Sequence, residues 1–537
     1  MKLPQSSTRL EELITGLTSP AAYPHAVQPV KVVQTHISCV FLTGEYAYKI
    51  KKPVDFGFLD YRTLEQRRAC CEEEVRLNRR LCPDLYLGIL PIVQDRSGLH
   101  VGGEGVPIEW AVQMRQFHPD ETLSSRLERG EGTIADIRRI GRALADFHSV
   151  TPTSPEIREW GAWPGISKTI RNTLESMDSL AERLLTLESR SAIRRHLLTF
   201  LDDHRELLNR RMAGDCIRDC HGDLRTQNIC LDPRFSGGIQ IFDCIEFNHE
   251  FRYIDTAADL AYLAMDLDLA GRTDLRDALL GEYLTARTDP DLRQVLPFYQ
   301  AYRACVRGNI ALFAASEREV PASEREAHRE TASAAYDLAR SYSTAADGPA
   351  LLIMIGFSGS GKSTLARELS RRLPAILIST DQVRKARAGV PPDRPLPADR
   401  YTASGRADVY QEMYRLASVH LSNGRHVILD GTFLSEHERE NAAQLAQANK
   451  THSWMVECRC PDAVIRQRLA SRQSQSSASD ANIAVYERQA AAFTPIALPR
   501  STAAEETHHL IVDTEQPSPQ AARYVIDRFT HIRNTAS

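Results

Sequence analysis

Residues 351–365 read LLIMIGFSGSGKSTL: an apolar run, a glycine-rich loop and the start of a helix, in immediate succession. The loop GFSGSGKS, Gly356–Ser363, satisfies G-x-x-x-x-G-K-[ST] in full. Gly356, Gly359 and Gly361, with the small Ser358 and Ser360 between them, allow the backbone N–H groups to wrap a chain of phosphates. The helix that opens at Thr364 adds its N-terminal partial positive charge. Lys362 has the reach for the β- and γ-phosphates, and Ser363 has the hydroxyl that ligates Mg²⁺. Further apolar runs follow, AILIS, HVILD and SWMVECR, each separated from the next by helical patterning. Such alternation predicts a parallel sheet flanked by helices.

Two carboxylates stand at strand ends in this region. Asp430 closes HVILD and would hold the water shell of Mg²⁺. Asp381 follows AILIST, with Arg384 one helical turn on. This pair is suited to activating a hydroxyl and positioning an anionic substrate. The competing reading of each Asp is a helix N-cap. The pieces GFSGSGKST, STDQVR, VILDGTF and CPDAVIRQRLASR together resemble the small P-loop kinases of the polynucleotide kinase, zeta toxin and chloramphenicol phosphotransferase type. That resemblance implies that Asp381 is the hydroxyl-activating base and Arg384 a substrate contact. It also implies an arginine on the transferring phosphate, for which Arg468 and Arg472 both qualify.

A second constellation lies upstream. HGDLRTQN, His221–Asn228, is followed by IQIFD ending at Asp243, the arrangement H-x-D-x-x-x-x-N, strand, Asp. Phosphoryl transfer to a hydroxyl needs a base at the acceptor and ligands for Mg²⁺ on the phosphates. Asp223 would be the base, and Asn228 and Asp243 the ligands, brought together by a tight hairpin. The motif is similar to the protein-kinase catalytic loop, with Gly222 where those kinases carry Arg. That glycine marks the aminoglycoside phosphotransferase and choline kinase branch. The resemblance implies that Lys49, in EYAYKI, binds phosphate and that Glu74, in CEEEVRLNRRL, is its partner. Lys51 and Glu73 remain alternatives. Met114, at the end of IEWAVQM, would touch adenine or pack in the core, and Arg225 would face the γ-phosphate. Two departures are visible. No G-x-G-x-x-G covers the phosphates, a task left to Thr35, His36 and Ser38, and Asp243 precedes Cys-Ile-Glu instead of Phe-Gly. Asp259 reads as a structural anchor for the loop, and His148 as a core histidine.

These motifs sit in a chain of 537 residues, too long for one core. The expected organisation is a multidomain α+β and α/β chain. It comprises a β-rich lobe at 1–118, a helical lobe with the catalytic loop at 119–342, a linker at 343–349 and a P-loop domain at 350–537. The segments AGVPPDRPLPADRY and SRQSQSSASDA read as loops. With 42% apolar and 25% charged residues and a net charge of -4, nothing draws the chain as a whole to nucleic acid or anionic membrane. It has no apolar run of transmembrane length and no secretory leader, which predicts a cytoplasmic protein. The 11 cysteines lack zinc-site spacing and read as buried thiols. As a whole the chain resembles the bacterial fusion described as bifunctional aminoglycoside phosphotransferase/ATP-binding protein. That implies ATP and Mg²⁺ at both sites and small hydroxylated acceptors. A P-loop domain that merely regulates the first site, or one that phosphorylates nucleic-acid 5′-hydroxyls, is the alternative. No oligomeric state follows from the sequence.

Overall fold

The computed structural model describes residues 5–27, 29–57, 59–317, 320–344, 348–390, 403–474, 482–496 and 507–536. Most of both expected loops, and residues 345–347 of the expected linker, lie outside these. Two compact units emerge, one of residues 1–168, 203–266 and 278–296, the other of 169–202, 267–277 and 297–537.

In the first unit the strands β1 (Lys31–Gln34), β2 (Ser38–Leu42), β3 (Tyr46–Lys51), β4 (Tyr86–Asp95), β5 (Gly98–Val101) and β6 (Glu109–Arg115) form one antiparallel sheet. Its order is β1-β2-β3-β6-β4-β5. The two-residue period of β3 sorts its side chains. Tyr48 and Ile50 join the core with Cys39 and Phe41, while Lys49 and Lys51 share the opposite face. The helix Leu64–Asn78 begins with a capping box between Thr63 and Gln66, and buries Glu74 together with Cys71, Val75 and Leu77. Short pairs complete the unit's β-structure: β7 (Ile217–Asp219) with β10 (Tyr253–Asp255), and β8 (Ile229–Cys230) with β9 (Gln240–Ile241), both antiparallel.

The second unit holds a five-stranded parallel sheet of β11 (Ala350–Ile355), β12 (Ala375–Ser379), β13 (His426–Asp430), β14 (His452–Arg459) and β15 (Thr507–Asp513), in the order β12-β13-β11-β14-β15. All of β11 is buried, which explains its uninterrupted apolar run. Leu352 and Met354 pack on one face with Leu365 and Phe529; Leu351, Ile353 and Ile355 pack on the other with Met413 and Val427. The helix Ala322–Thr344, which the sequence reading groups with the upstream lobe, belongs to this unit. It is bound to the helix Lys362–Arg372 by a buried charge: the Arg372 guanidinium donates to Asp337 at 2.8 Å and to Ser333 at 2.9 Å. A guanidinium that deep requires a carboxylate, and Asp337 supplies it. No helix among the described residues is long and apolar enough to cross a membrane.

Candidate active sites

The loop His221–Asn228 takes its shape from a glycine and an acid. Gly222 adopts φ 87°, and a Cβ there would lie 2.8 Å from the Phe251 carbonyl oxygen, so an arginine does not fit this backbone. Asp259 accepts the N–H groups of His221 (3.0 Å) and Gly222 (2.9 Å), and it is joined to His148 Nε2 at 3.1 Å. These bonds match the anchoring role expected of Asp259 and the core position expected of His148.

On this frame Asp223 Oδ2 accepts from Asn228 Nδ2 at 2.9 Å and from Arg225 at 2.7 Å. The register of β8 with β9, extended by the Phe242 N–H to the Asn228 carbonyl (2.9 Å), brings Asp243 beside Asn228. Lys49 Nζ donates to Glu74 Oε1 and Asp243 Oδ1, both at 2.8 Å. Five of the expected residues therefore form one connected group. The open alternatives separate by contact. Lys49 reaches Asp243, whereas the buried Lys51 reaches Glu74 and Glu246. Glu74 faces inward, whereas Glu73 pairs with Arg76 and Arg252. Met114, Phe117 and Phe242, the last one residue before Asp243, are partly buried and pack against one apolar cluster that includes Val112 and Cys230. Thr35 and Ser38 bond to each other in the turn between β1 and β2, their hydroxyl oxygens 2.9 Å apart.

In the P-loop, Gly356, Gly359 and Gly361 all have positive φ, and a Cβ on Gly356 would stand 3.0 Å from the Cys458 carbonyl. Lys362 and Thr364 lie in the first turn of the helix Lys362–Arg372, and Lys362 Nζ folds back to the Phe357 carbonyl at 3.4 Å. The Ser360 hydroxyl is buried without a hydrogen-bond partner. Asp430, at the end of β13, is buried beside Ser363 and Lys362. Burial pushes its carboxyl up, and its Oδ1 has no hydrogen-bond partner. A buried carboxylate oxygen left over next to a serine hydroxyl fits a hard cation such as Mg²⁺.

Asp381 is not an N-cap. Ser379, paired with Asp430 across β12 and β13, caps the helix Thr380–Arg387 with Gln382, leaving Asp381 in the first turn, 3.0 Å from Arg384. The Asp381 carboxylate is 59% exposed. Arg468 lies under Gly361 and donates to the Thr514 carbonyl at 2.7 Å. The Arg472 side chain is outside the described residues.

Two features have no counterpart in the sequence reading. Gln489 holds the P-loop from outside: the Ser358 N–H donates to its Oε1 at 2.8 Å and its Nε2 donates to the Ser358 hydroxyl at 3.0 Å. Tyr61 donates to Glu246 at 2.8 Å, on the same carboxylate that Lys51 reaches. Neither Gln489 nor Glu246 belongs to a local motif, so spacing carried no signal for them.

Residues 72–298 match the family described as "Phosphotransferase enzyme family", and residues 351–496 match "AAA domain". The "Uncharacterized protein Rv2004c" of Mycobacterium tuberculosis (strain ATCC 25618 / H37Rv) is 33% identical over 470 residues, which span 86% of this chain and 90% of that protein. The chain belongs to its family. The "Uncharacterized protein Mb2027c" of Mycobacterium bovis (strain ATCC BAA-935 / AF2122/97) matches to the same extent. An alignment of 470 residues spans both regions, so the family shares their fusion. This chain is a kinase-type enzyme, with a phosphotransferase region followed by a P-loop region. Among solved structures, a choline/ethanolamine kinase family protein from Mesorhizobium loti aligns at 13% identity and TM-score 0.33. It covers 59% of this chain and 92% of that one. A putative kinase from Chloroflexus aurantiacus aligns at 21% identity and TM-score 0.28, covering 34% of this chain and 97% of that one.

Proposed function

We propose that the chain is a bifunctional ATP-dependent phosphotransferase of the cytoplasm, acting on small hydroxylated compounds. One site lies in the first compact unit, the other in the second. At the first site Asp223 accepts the proton of the acceptor hydroxyl as the oxygen attacks the γ-phosphate. Arg225 neutralises charge on the transferring group, Lys49 with Glu74 orients the phosphates, and Met114 touches adenine. Asn228 and Asp243 would hold Mg²⁺, which shields the phosphate charge when bound. What supports this reading is the connected group Asp223, Asn228, Asp243, Lys49 and Glu74.

At the second site the P-loop amides and Lys362 hold the phosphates. Ser363 and Asp430 would hold Mg²⁺, and Asp381 serves as base. Arg384 contacts the acceptor and Arg468 the phosphate. The exposed Asp381 beside a buried, under-satisfied Asp430 supports transfer over mere switching.

The test is acceptor-dependent ADP release by the full chain against alcohols, sugars and 5′-hydroxyl oligonucleotides, repeated with Asp223→Asn and with Asp381→Asn. Each active acceptor should be lost in one variant and kept in the other. If no acceptor depends on Asp381, and Asp381→Asn alters only reactions that need Asp223, the second site is regulatory. If oligonucleotides are the acceptors lost in Asp381→Asn, the second substrate is nucleic acid.

A further inference from the structure

The first site contains one more buried charge pair than its chemistry uses. Lys51 has 1% of its surface exposed and donates to both Glu74 and Glu246. Tyr61 donates to the same Glu246 oxygen at 2.8 Å. Glu246 stands three residues after Asp243, so Glu74 receives two lysines, each of which also grips the segment 243–246. Lys49 holds its first residue and Lys51 its last.

That segment needs holding. Asp243 has φ 64°, a left-handed conformation that persists where the surroundings enforce it. Between the two lysine contacts, the Cys244 N–H donates to Asn78 Oδ1 at 2.9 Å and the Ile245 N–H to the His221 carbonyl at 3.2 Å. Every residue from 243 to 246 is therefore tied, and the Glu246 tie is the buried ionic one. Two ammonium groups face three carboxylates, Glu74, Asp243 and Glu246. The surplus negative charge is presented at Asp243, whose side chain is 44% exposed.

We propose that Lys51 and Glu246 are positioning residues for the first site, their buried pair anchoring the segment that sets how the Asp243 carboxylate meets the metal ion of the nucleotide. This rests on the reading of Asp243 as a metal ligand. Residues that orient a ligand from behind typically contribute about 10- to 100-fold in metal affinity.

The experiment uses the full chain carrying Lys362→Ala, which removes the P-loop contribution. Mn²⁺ is titrated in the presence of a non-hydrolysable ATP analogue and followed by its paramagnetic resonance signal, well below the melting temperature of each variant. Lys51→Met and Glu246→Gln should both weaken Mn²⁺ binding by about 10- to 100-fold, and together no more than either alone. Simple electrostatics predicts opposite shifts, because one change removes a positive charge and the other a negative one. Opposite, additive or absent shifts overturn the proposal. Should either variant fail to fold, Tyr61→Phe decides. It keeps the ring and removes one bond to Glu246, and a shift of a few-fold in the same direction supports the anchor while no shift overturns it. Asp243→Ala separates the two layers. If it leaves Mn²⁺ binding intact, the metal-ligand reading fails and takes the anchor with it. If it abolishes binding while the Lys51 and Glu246 variants bind normally, only the anchor fails.

Discussion

Asp223 is held by two donors, the neutral Asn228 amide and the cationic Arg225, both on one carboxylate oxygen. In the proposed mechanism this arrangement aims the carboxylate, and nucleotide contacts fall to other side chains. Asp223→Asn is therefore expected to lower turnover at the first site by about 10²–10⁴ with little change in nucleotide affinity. ADP release and nucleotide titration read the two effects separately. Asp430 makes the complementary case. Burial raises its carboxyl, so at neutral pH the fold carries a carboxylate that is less favourable than in the unfolded chain. Stability falls as pH rises through the raised value. Asp430→Asn should accordingly raise the melting temperature of the nucleotide-free chain at pH 7 to 8 and reduce the additional rise given by ATP with Mg²⁺ to the part contributed by the first site. Calorimetry with and without that ligand checks both signs.

Helices and strands here owe their positions to a few decisive side chains. The P-loop works because β11 is buried throughout and the helix Lys362–Arg372 starts at a left-handed glycine, Gly361. The loop His221–Asn228 keeps its shape because Gly222 accepts a backbone that a side chain would block. One helix carries a pH response. In Leu187–Asp203, His196 Nε2 is buried without a hydrogen-bond partner, and burial brings this histidine down to about 4. The unfolded chain, with an ordinary value of about 6.5, binds the proton first. The stability held by neutral His196 is present above pH 6.5 and is lost as pH falls through about 4. His196→Leu should flatten the stability profile between these values, as measured by urea denaturation at a series of pH values.

The chain's larger organisation departs from a linear succession of domains. The helix Ala322–Thr344 is joined to the P-loop sheet's helices by Arg372 with Asp337 and by Arg340 with Asp527 at 2.9 Å. A fragment of residues 322–537 should therefore be more stable than one of residues 348–537. Charged hydrogen bonds of this kind contribute about 1.5–3 kcal/mol. Thermal denaturation of the two fragments measures the difference. ATP with Mg²⁺ at 100 times its dissociation constant should add about 2.7 kcal/mol to whichever fragment folds. Equal stability of the two fragments would show that the helix is not part of the second unit's fold.

By itself the sequence determined the two motifs, the parallel sheet that carries the P-loop and the β-rich character of the first lobe, and it named candidate Asp, Asn and Ser residues in each motif. Such features are local, because a strand, a tight loop and a helix cap are specified within a few residues of one another. That Lys49 and not Lys51 bonds to Asp243, and that Glu74 and not Glu73 bonds to Lys49, was decided only by the tertiary structure. So were the bond of Gln489 to the P-loop and the place of the helix Ala322–Thr344. Neighbouring residues of one type satisfy the same spacing rule. Which of them is buried, and against what, depends on segments up to about two hundred positions away, as between Lys51 and Glu246, and only the packed chain brings those together.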